Sequence, residues 1–375
     1  MVEALLIGTG AGGNKSVIDL VEDGIISIDD MILFNTTIKD VPEKYRNKFV
    51  QINGSDFGGC GMEREKGKTL MLNALQNGEI NLDGLYVPGK HRMVIVVAST
   101  EGGTGSGSAP VIARYFAQVL HIPTHLVGFV GFGEGGRGLK NTVSFMQDIV
   151  ESLIVHLIDN SKFLKDANGN QLRAEKLANK ELAARIAIMT GKVLVDSEQN
   201  IDDMDLFKLI NNPGYEEIAY RVIDEKIKTQ EQFNAIIKEM ISDSKSVDVT
   251  KPSQTRMGAI FNVPESEYEN VDFGLSIVKE KYGIPFEFFK QIQYVKEMPR
   301  FVAFVCSGVK LPMEEIKDIH EKYLKASSQV SKDGDEFYAD INTLEMDDTD
   351  KMFDTKFEST TRPAASKDSF FSSFK

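Results

Sequence analysis

Residues 93–110 read MVIVVASTEGGTGSGSAP. The first six are apolar without a break, the pattern of a central strand covered on both faces. Four glycines then fall within residues 102–107, with Thr104 and Ser106 between them. Glycine lets successive backbone N–H groups turn toward an anion with no Cβ in the way. Residues 111–120 (VIARYFAQVL) read as a helix, with Pro110 near its start. A surface linker fits poorly between a buried strand and a helix, so the segment reads as a phosphate cradle.

A second Gly-rich loop lies near the N-terminus. Residues 4–7 (ALLI) read as a buried strand, and Gly8-Thr-Gly-Ala-Gly-Gly-Asn-Lys-Ser16 follows. Gly8, Gly10 and Gly13 satisfy the dinucleotide spacing G-x-G-x-x-G. Lys15-Ser16 resembles the end of a P-loop, but Asn14 stands between Gly13 and the lysine. A tight strand-to-helix turn without ligand is the third reading, and this loop alone does not separate the three. The dinucleotide reading also asks for an acid at the end of the second strand. That strand, residues 31–34, ends in Asn35-Thr36, with Asp29 and Asp30 before it. One dinucleotide fold needs one such loop; this chain has two.

Further apolar runs at 49–52, 125–130 and 153–157 alternate with helical patterns. This predicts an α/β fold with a parallel sheet, ligands lying at the carboxyl ends of its strands. Residues 172–195 predict one long, largely buried helix with Gly191 near its end. Helices are expected at 205–210 and 215–228, strands at 257–263, 286–295 and 301–309, and a helix at 313–328. From about residue 331 the composition turns acidic, then Ser/Thr-rich, as in a flexible tail.

The 375 residues carry a formal charge of −13. An acidic body is repelled by phosphates, which argues against direct DNA binding. No apolar run approaches the roughly 20 residues that cross a bilayer, so no membrane association is expected. The start, MVEALLIGTG, reads as a strand and not a leader. Cys60 and Cys306 fit no metal or disulfide spacing, and a cytoplasmic setting is expected. His91, His121, His125, His156 and His320 likewise show no ligand spacing.

Gly-Gly-Thr-Gly-Ser-Gly at 102–107 is similar to the tubulin signature GGGTGSG, with Glu101 in place of its first glycine. As an ordered series of motifs over residues 1–310, the chain resembles the tubulin/FtsZ superfamily, most of all its TubZ branch of plasmid and phage filament proteins. The resemblance implies a GTP-binding domain (1–171), a central helix (172–198), a second, activation-type α/β domain (199–312), a C-terminal helix (313–330) and a flexible tail (331–375). It implies GTP/GDP and Mg²⁺ as cofactors. Gly10, Ala11, Gly12, Gly13 and Asn14 would form one phosphate loop, with Asn35 beside the nucleotide. Cys60, Gly61 and Met62 would sense the terminal phosphate, and Gly102, Gly103, Thr104, Gly105, Ser106 and Gly107 would hold the phosphates. Glu134 and Arg137 would approach the ribose and phosphates, one residue off the FtsZ spacing. Asn160 and Asn179 would contact the guanine edge.

Asn200-Ile-Asp-Asp-Met-Asp205 is similar to the NxDxxD loop that FtsZ inserts into its neighbour's nucleotide site. Asp202 and Asp205 would then be catalytic in a head-to-tail filament, and Asp202 or Asp203 would also cap the following helix. The tail, where Lys356, Arg362, Lys367 and Lys375 alternate with Phe357, Phe370, Phe371 and Phe374, would dock a DNA-binding adaptor for plasmid or phage DNA segregation. The alternatives are an NAD(P)- or FAD-dependent oxidoreductase and a nucleotide-binding filament without turnover.

Overall fold

The computed structural model of the chain describes residues 2–54, 58–197, 199–248, 255–268, 271–330 and 370. In the first half, strands β1 (Ala4–Thr9), β2 (Met31–Asn35), β3 (Phe49–Gln51), β4 (Met93–Ser99), β5 (Thr124–Val130) and β6 (Ile154–Asp159) are separated by helices α1 (Gly10–Glu22), α2 (Arg64–Gln76), α3 (Thr104–Arg114) and α4 (Gly136–Gln147). The strands pair in parallel in the order β3-β2-β1-β4-β5-β6. Their apolar runs are unbroken because both faces are covered. Leu5, Ile7, Val94 and Val96 pack with Met71, Ile112 and Phe145 on one side. Leu6, Ile95 and Val97 pack with Val17, Leu20, Leu182 and Ile186 on the other. Each such buried side chain contributes about 1.5–3 kcal/mol.

The long helix α5 (Gln171–Met189) is capped at its start by Asn170, whose Oδ1 accepts from Arg173 N at 2.9 Å. It is shorter than its apolar pattern suggests. Gly191 adopts φ +72° just past the end. Its N–H donates to Ile188 O at 3.0 Å, and Lys192 N–H donates to Ala187 O at 2.9 Å. These two bonds form a Schellman cap, which closes the helix where a left-handed residue is available.

After α5 come α6 (Asp203–Ile210), β7 (Gly214–Val222), α7 (Gln230–Ser242), β8 (Arg256–Asn262), α8 (Glu265–Tyr268), α9 (Ser276–Tyr282), β9 (Glu287–Gln293), β10 (Phe301–Val309) and α10 (Met313–Val330). The expected helix at 215–228 is instead strand β7. The strand is buried on both faces from Gly214 to Ala219, and the adjacent Glu216 and Glu217, one on each face, break the apolar run that such a strand usually shows. The neighbouring helix α7, capped by Thr229, was not legible in the sequence pattern. β7 pairs antiparallel with β10, β10 antiparallel with β8, and β8 parallel with β9. The whole forms one ten-stranded sheet, β3-β2-β1-β4-β5-β6-β7-β10-β8-β9. The two halves meet at β6 and β7, which register over only two positions, Ile154 with Gly214 and Val155 with Tyr215.

The expected tail lies outside the described residues except for Phe370. That ring is buried and meets Tyr115 edge-on, with centroids 5.3 Å apart. No helix among the described residues is long and apolar enough to cross a membrane.

Gly191→Ala should lower the unfolding free energy by about 1–2 kcal/mol, because an L residue is strained in the left-handed region. The added Cβ would also stand 2.8 Å from Leu206 Cδ2. Denaturant midpoints with an unchanged slope would check this; an unchanged midpoint would refute the cap's contribution.

Candidate functional site

The two Gly-rich segments form the first turns of α1 and α3, so the Gly-rich loops are helix N-termini and not extended loops. Pro110 accordingly lies inside α3 and not at its start. The two turns touch. A Cβ on Gly10 would stand 2.7 Å from Gly105 N, and one on Gly105 would stand 2.6 Å from Thr9 O. Only glycine permits that approach, and it brings two helix N-termini, each with a partial positive charge, to one place.

Between them opens a cleft of about 460 Å³ at the carboxyl ends of β1, β2, β4, β5 and β6. Of the expected residues, Gly10, Ala11, Gly12, Gly102, Gly103, Thr104 and Gly105 line its phosphate-sized floor. Asn35, Cys60 and Gly61 line one side, and Asn160 and Asn179 the other. Gly13 and Gly107 lie beneath the surface as packing glycines. A Cβ on Gly13 would fall 2.1 Å from Val97 O, and one on Gly107 would fall 2.3 Å from Arg64 O. Asn14 is buried with both side-chain amide atoms unpartnered. Ser106 Oγ is spent on the carbonyl of Gly102. Met62, Glu134 and Arg137 do not line the cleft; Glu134 accepts instead from Gln171 at the start of α5.

The base-side amides differ. Asn179 is already engaged, accepting from Ser16 Oγ and donating to Asp19 Oδ2, each at 2.7 Å. Asn160 keeps an unpartnered Oδ1. Asn35 Oδ1 accepts from Thr36 N at 2.9 Å. β2 thus offers an amide where a dinucleotide fold offers a carboxylate.

Glu101 does not enter the cleft. Its carboxylate turns into the loop after β5, where Gly133 N–H donates to it at 3.1 Å. Burial raises its pKa above the ordinary carboxyl range. The acid thereby replaces a glycine without placing charge among the phosphate donors. Asn141, not singled out in the sequence, clamps this region: its Nδ2 donates to Met62 O and Glu101 O at 2.9 Å and to Gly102 O at 3.1 Å. Other lining residues that sequence reasoning missed are Thr9, Lys15, Thr37, Asp40, Phe129 and Glu175. Phe129 and Glu175 had a signal: one sits at a strand's carboxyl end, and the other lies one turn before Asn179 on α5.

Asp202 and Asp205 sit elsewhere. Asp202 caps α6, accepting from Met204 N at 2.8 Å and Asp205 N at 2.7 Å. α5 leaves the cleft at Glu175 and Asn179 and ends beside the start of β1, where Val2 N–H donates to Thr190 O at 3.0 Å. At 1.5 Å per residue its 19 residues span about 28 Å. The acidic loop therefore lies toward the pole opposite the cleft, with Asp202 and Met204 exposed.

No family model matches the chain. Over 255 residues it is 25% identical to the tubulin-like protein CetZ2 of Haloferax volcanii, covering 63% of this chain and 68% of that protein. It is 25% identical over 214 residues to the cell division protein FtsZ of Mycoplasmopsis pulmonis, covering 56% of this chain but 53% of FtsZ. Among solved structures, Clostridium botulinum phage c-st TubZ superposes with a TM-score of 0.67 at 20% identity, covering 88% of this chain and 98% of that one. A GTPγS-form protofilament of Bacillus thuringiensis serovar israelensis TubZ gives 0.71 at 11% identity, covering 88% and 92%. By fold, the chain is a tubulin/FtsZ-like protein with TubZ among its structural neighbours.

Proposed function

We propose that the chain is a GTPase that assembles head to tail and completes its hydrolytic site at each subunit contact. The observation that carries this reading is the polarity of the subunit. A phosphate cradle opens at one pole, and an acidic loop stands toward the other, with Asp202 exposed and Asp205 half-buried. The GTPγS protofilament of the TubZ neighbour supports the same arrangement.

In this reading the N-termini of α1 and α3 bind the phosphates through backbone N–H groups, with Asn14 and Thr104 adding side-chain donors. Phe129 walls the cleft, and Asn160 and Asn179 meet the guanine edge, Asn160 through its unpartnered Oδ1 and Asn179 through the N–H and lone pair that its bonds to Asp19 and Ser16 leave over. The donor set also suits Mg²⁺, which takes few protein carboxylates and several phosphate oxygens. Asp40, Thr36 and Thr104 would hold it, and it would neutralise charge on the phosphates. Glu101, turned away, takes no part. The neighbour's Asp202 and Asp205 orient the attacking water and accept its proton, so much of the catalysis is positioning. Residues 1–171 then act as the nucleotide unit, and 199–312 as the unit that activates the neighbour.

For the biological role, we infer segregation of plasmid or phage DNA through an adaptor held by residues 355–375. The TubZ neighbours and the basic–aromatic alternation support it.

Phosphate release from GTP and sedimentation, read on the same samples, should share one sharp threshold in protein concentration. Turnover proportional to protein with nothing pelleted would overturn the shared site. Asp202→Asn, which keeps a capping acceptor, and Asp205→Asn should assemble yet hydrolyse about 10²-fold more slowly or worse; normal turnover would remove their catalytic role. Gly105→Ala should weaken GTP binding about tenfold or more, since its Cβ forces the two cradles apart. Replacing Lys356, Arg362, Lys367 and Lys375 with Ser, which keeps the buried Phe370, should abolish capture of a DNA-binding adaptor and leave GTP hydrolysis intact; undiminished capture would place the adaptor elsewhere.

A further inference from the structure

A buried polar cluster lies outside the nucleotide cleft, where the two halves of the sheet join. His125 on β5, His156 on β6 and Glu216 on β7 come from three successive strands and are all buried. Their separation in sequence gives no ligand spacing. Parallel pairing of β5 with β6, followed by β7, is what brings them together. His125 Nδ1 and His156 Nε2 are 3.0 Å apart, and His156 Nε2 is 3.9 Å from Glu216 Oε1. One ligand atom from each residue lies within 4.8 Å of the others.

These groups are poorly satisfied as they stand. Neither carboxylate oxygen of Glu216 has a hydrogen-bond partner, nor has His125 Nε2 or His156 Nδ1. Protonating Glu216 would not cure this, because its O–H would also lack a partner. Leaving a buried carboxyl unsatisfied is destabilising.

The geometry points to a structural divalent cation, zinc by its donor set, bound by His125, His156 and Glu216. Two imidazoles and one carboxylate are a known zinc donor set, one that leaves the fourth position to water. Ligand atoms about 2.0–2.2 Å from one tetrahedral ion stand roughly 3.3–3.6 Å from one another; the 3.0 and 3.9 Å pairs lie close to this, and the third pair, within 4.8 Å, would have to draw in. The surroundings suit a cation. Glu181, Glu216 and Glu217 stand near a single guanidinium, Arg185, which pairs with Glu181 at 2.8 Å. Arg185 itself opposes the ion, and its two terminal nitrogens are unpartnered. Asn211 lies beside His125, with an unpartnered Oδ1. Holding the His125 Nε2–H would leave Nδ1 bare for the metal, the usual task of an outer-shell acceptor. The ion would tie β5 and β6 to β7 where only two positions of β6 and β7 register.

The test uses the full chain without nucleotide, unfolded and refolded either with Zn²⁺ or with a chelator. After gel filtration the zinc-refolded sample should hold one ion per chain by elemental analysis and melt several degrees higher than the chelator-refolded one. Refolding with Co²⁺ should give the visible absorption of a low-symmetry N/O site. Glu216→Gln and His156→Gln should lose the ion, and Asn211→Ala should weaken its retention about 10–100-fold. Melting at the same temperature with and without metal, no ion above background, or equal retention by Glu216→Gln and His156→Gln would each overturn the site. A water bridging Arg185 and Glu216 would then account for the cluster. Should both ligand variants fail to fold, the two wild-type refolded samples decide the matter alone.

Discussion

The backbone contact between Gly10 and Gly105 governs the architecture around it. Two helices can aim their N-termini at one point only if their first turns approach closely, and here the approach leaves no room for a methyl group on either side. The positive ends of α1 and α3 repel each other when brought together, which costs stability in the empty cleft. An anion between them reverses the sign of that interaction. The fold thus holds two like-signed helix ends together, and the rest of the sheet is the rigid frame that keeps the two turns in place.

The frame is rigid for an ordinary reason. Unbroken aliphatic strands are buried on both faces between two helical layers, so no strand can shift its register without losing core contacts. Small polar devices trim the site on top of this. Asn141 ties the α3 cradle to the turn at Met62, and Glu101 is drawn into the loop after β5 by the Gly133 N–H. The acid that departs from the linear motif points away from the cleft.

Polarity along the subunit has a similarly simple origin. A parallel sheet places every strand's carboxyl end on one side, and α5 then carries the chain back to the other. A cleft and an acidic loop at opposite poles cannot serve each other within one molecule. They can do so between molecules stacked in the same orientation, since a heterologous contact of that kind propagates into a filament.

The sequence by itself determined the parallel half of the sheet and the two cradles, because strand, glycine run and helix are local features with short periods. It also offered Asp202 or Asp203 as a helix cap, and the structure chose Asp202, within four consecutive residues. Tertiary structure decided what local pattern disguises. β7 reads as polar through Glu216 and Glu217, and only its neighbours β6 and β10 and the buried Arg185 make it a central strand. α5 stops at Met189 because Gly191 finds a left-handed conformation there, which apolar periodicity does not register. The meeting of His125, His156 and Glu216, and the turning away of Glu101, depend on strand order and loop packing. Those are long-range contacts, set by how the sheet assembles and not by any stretch of the chain read alone.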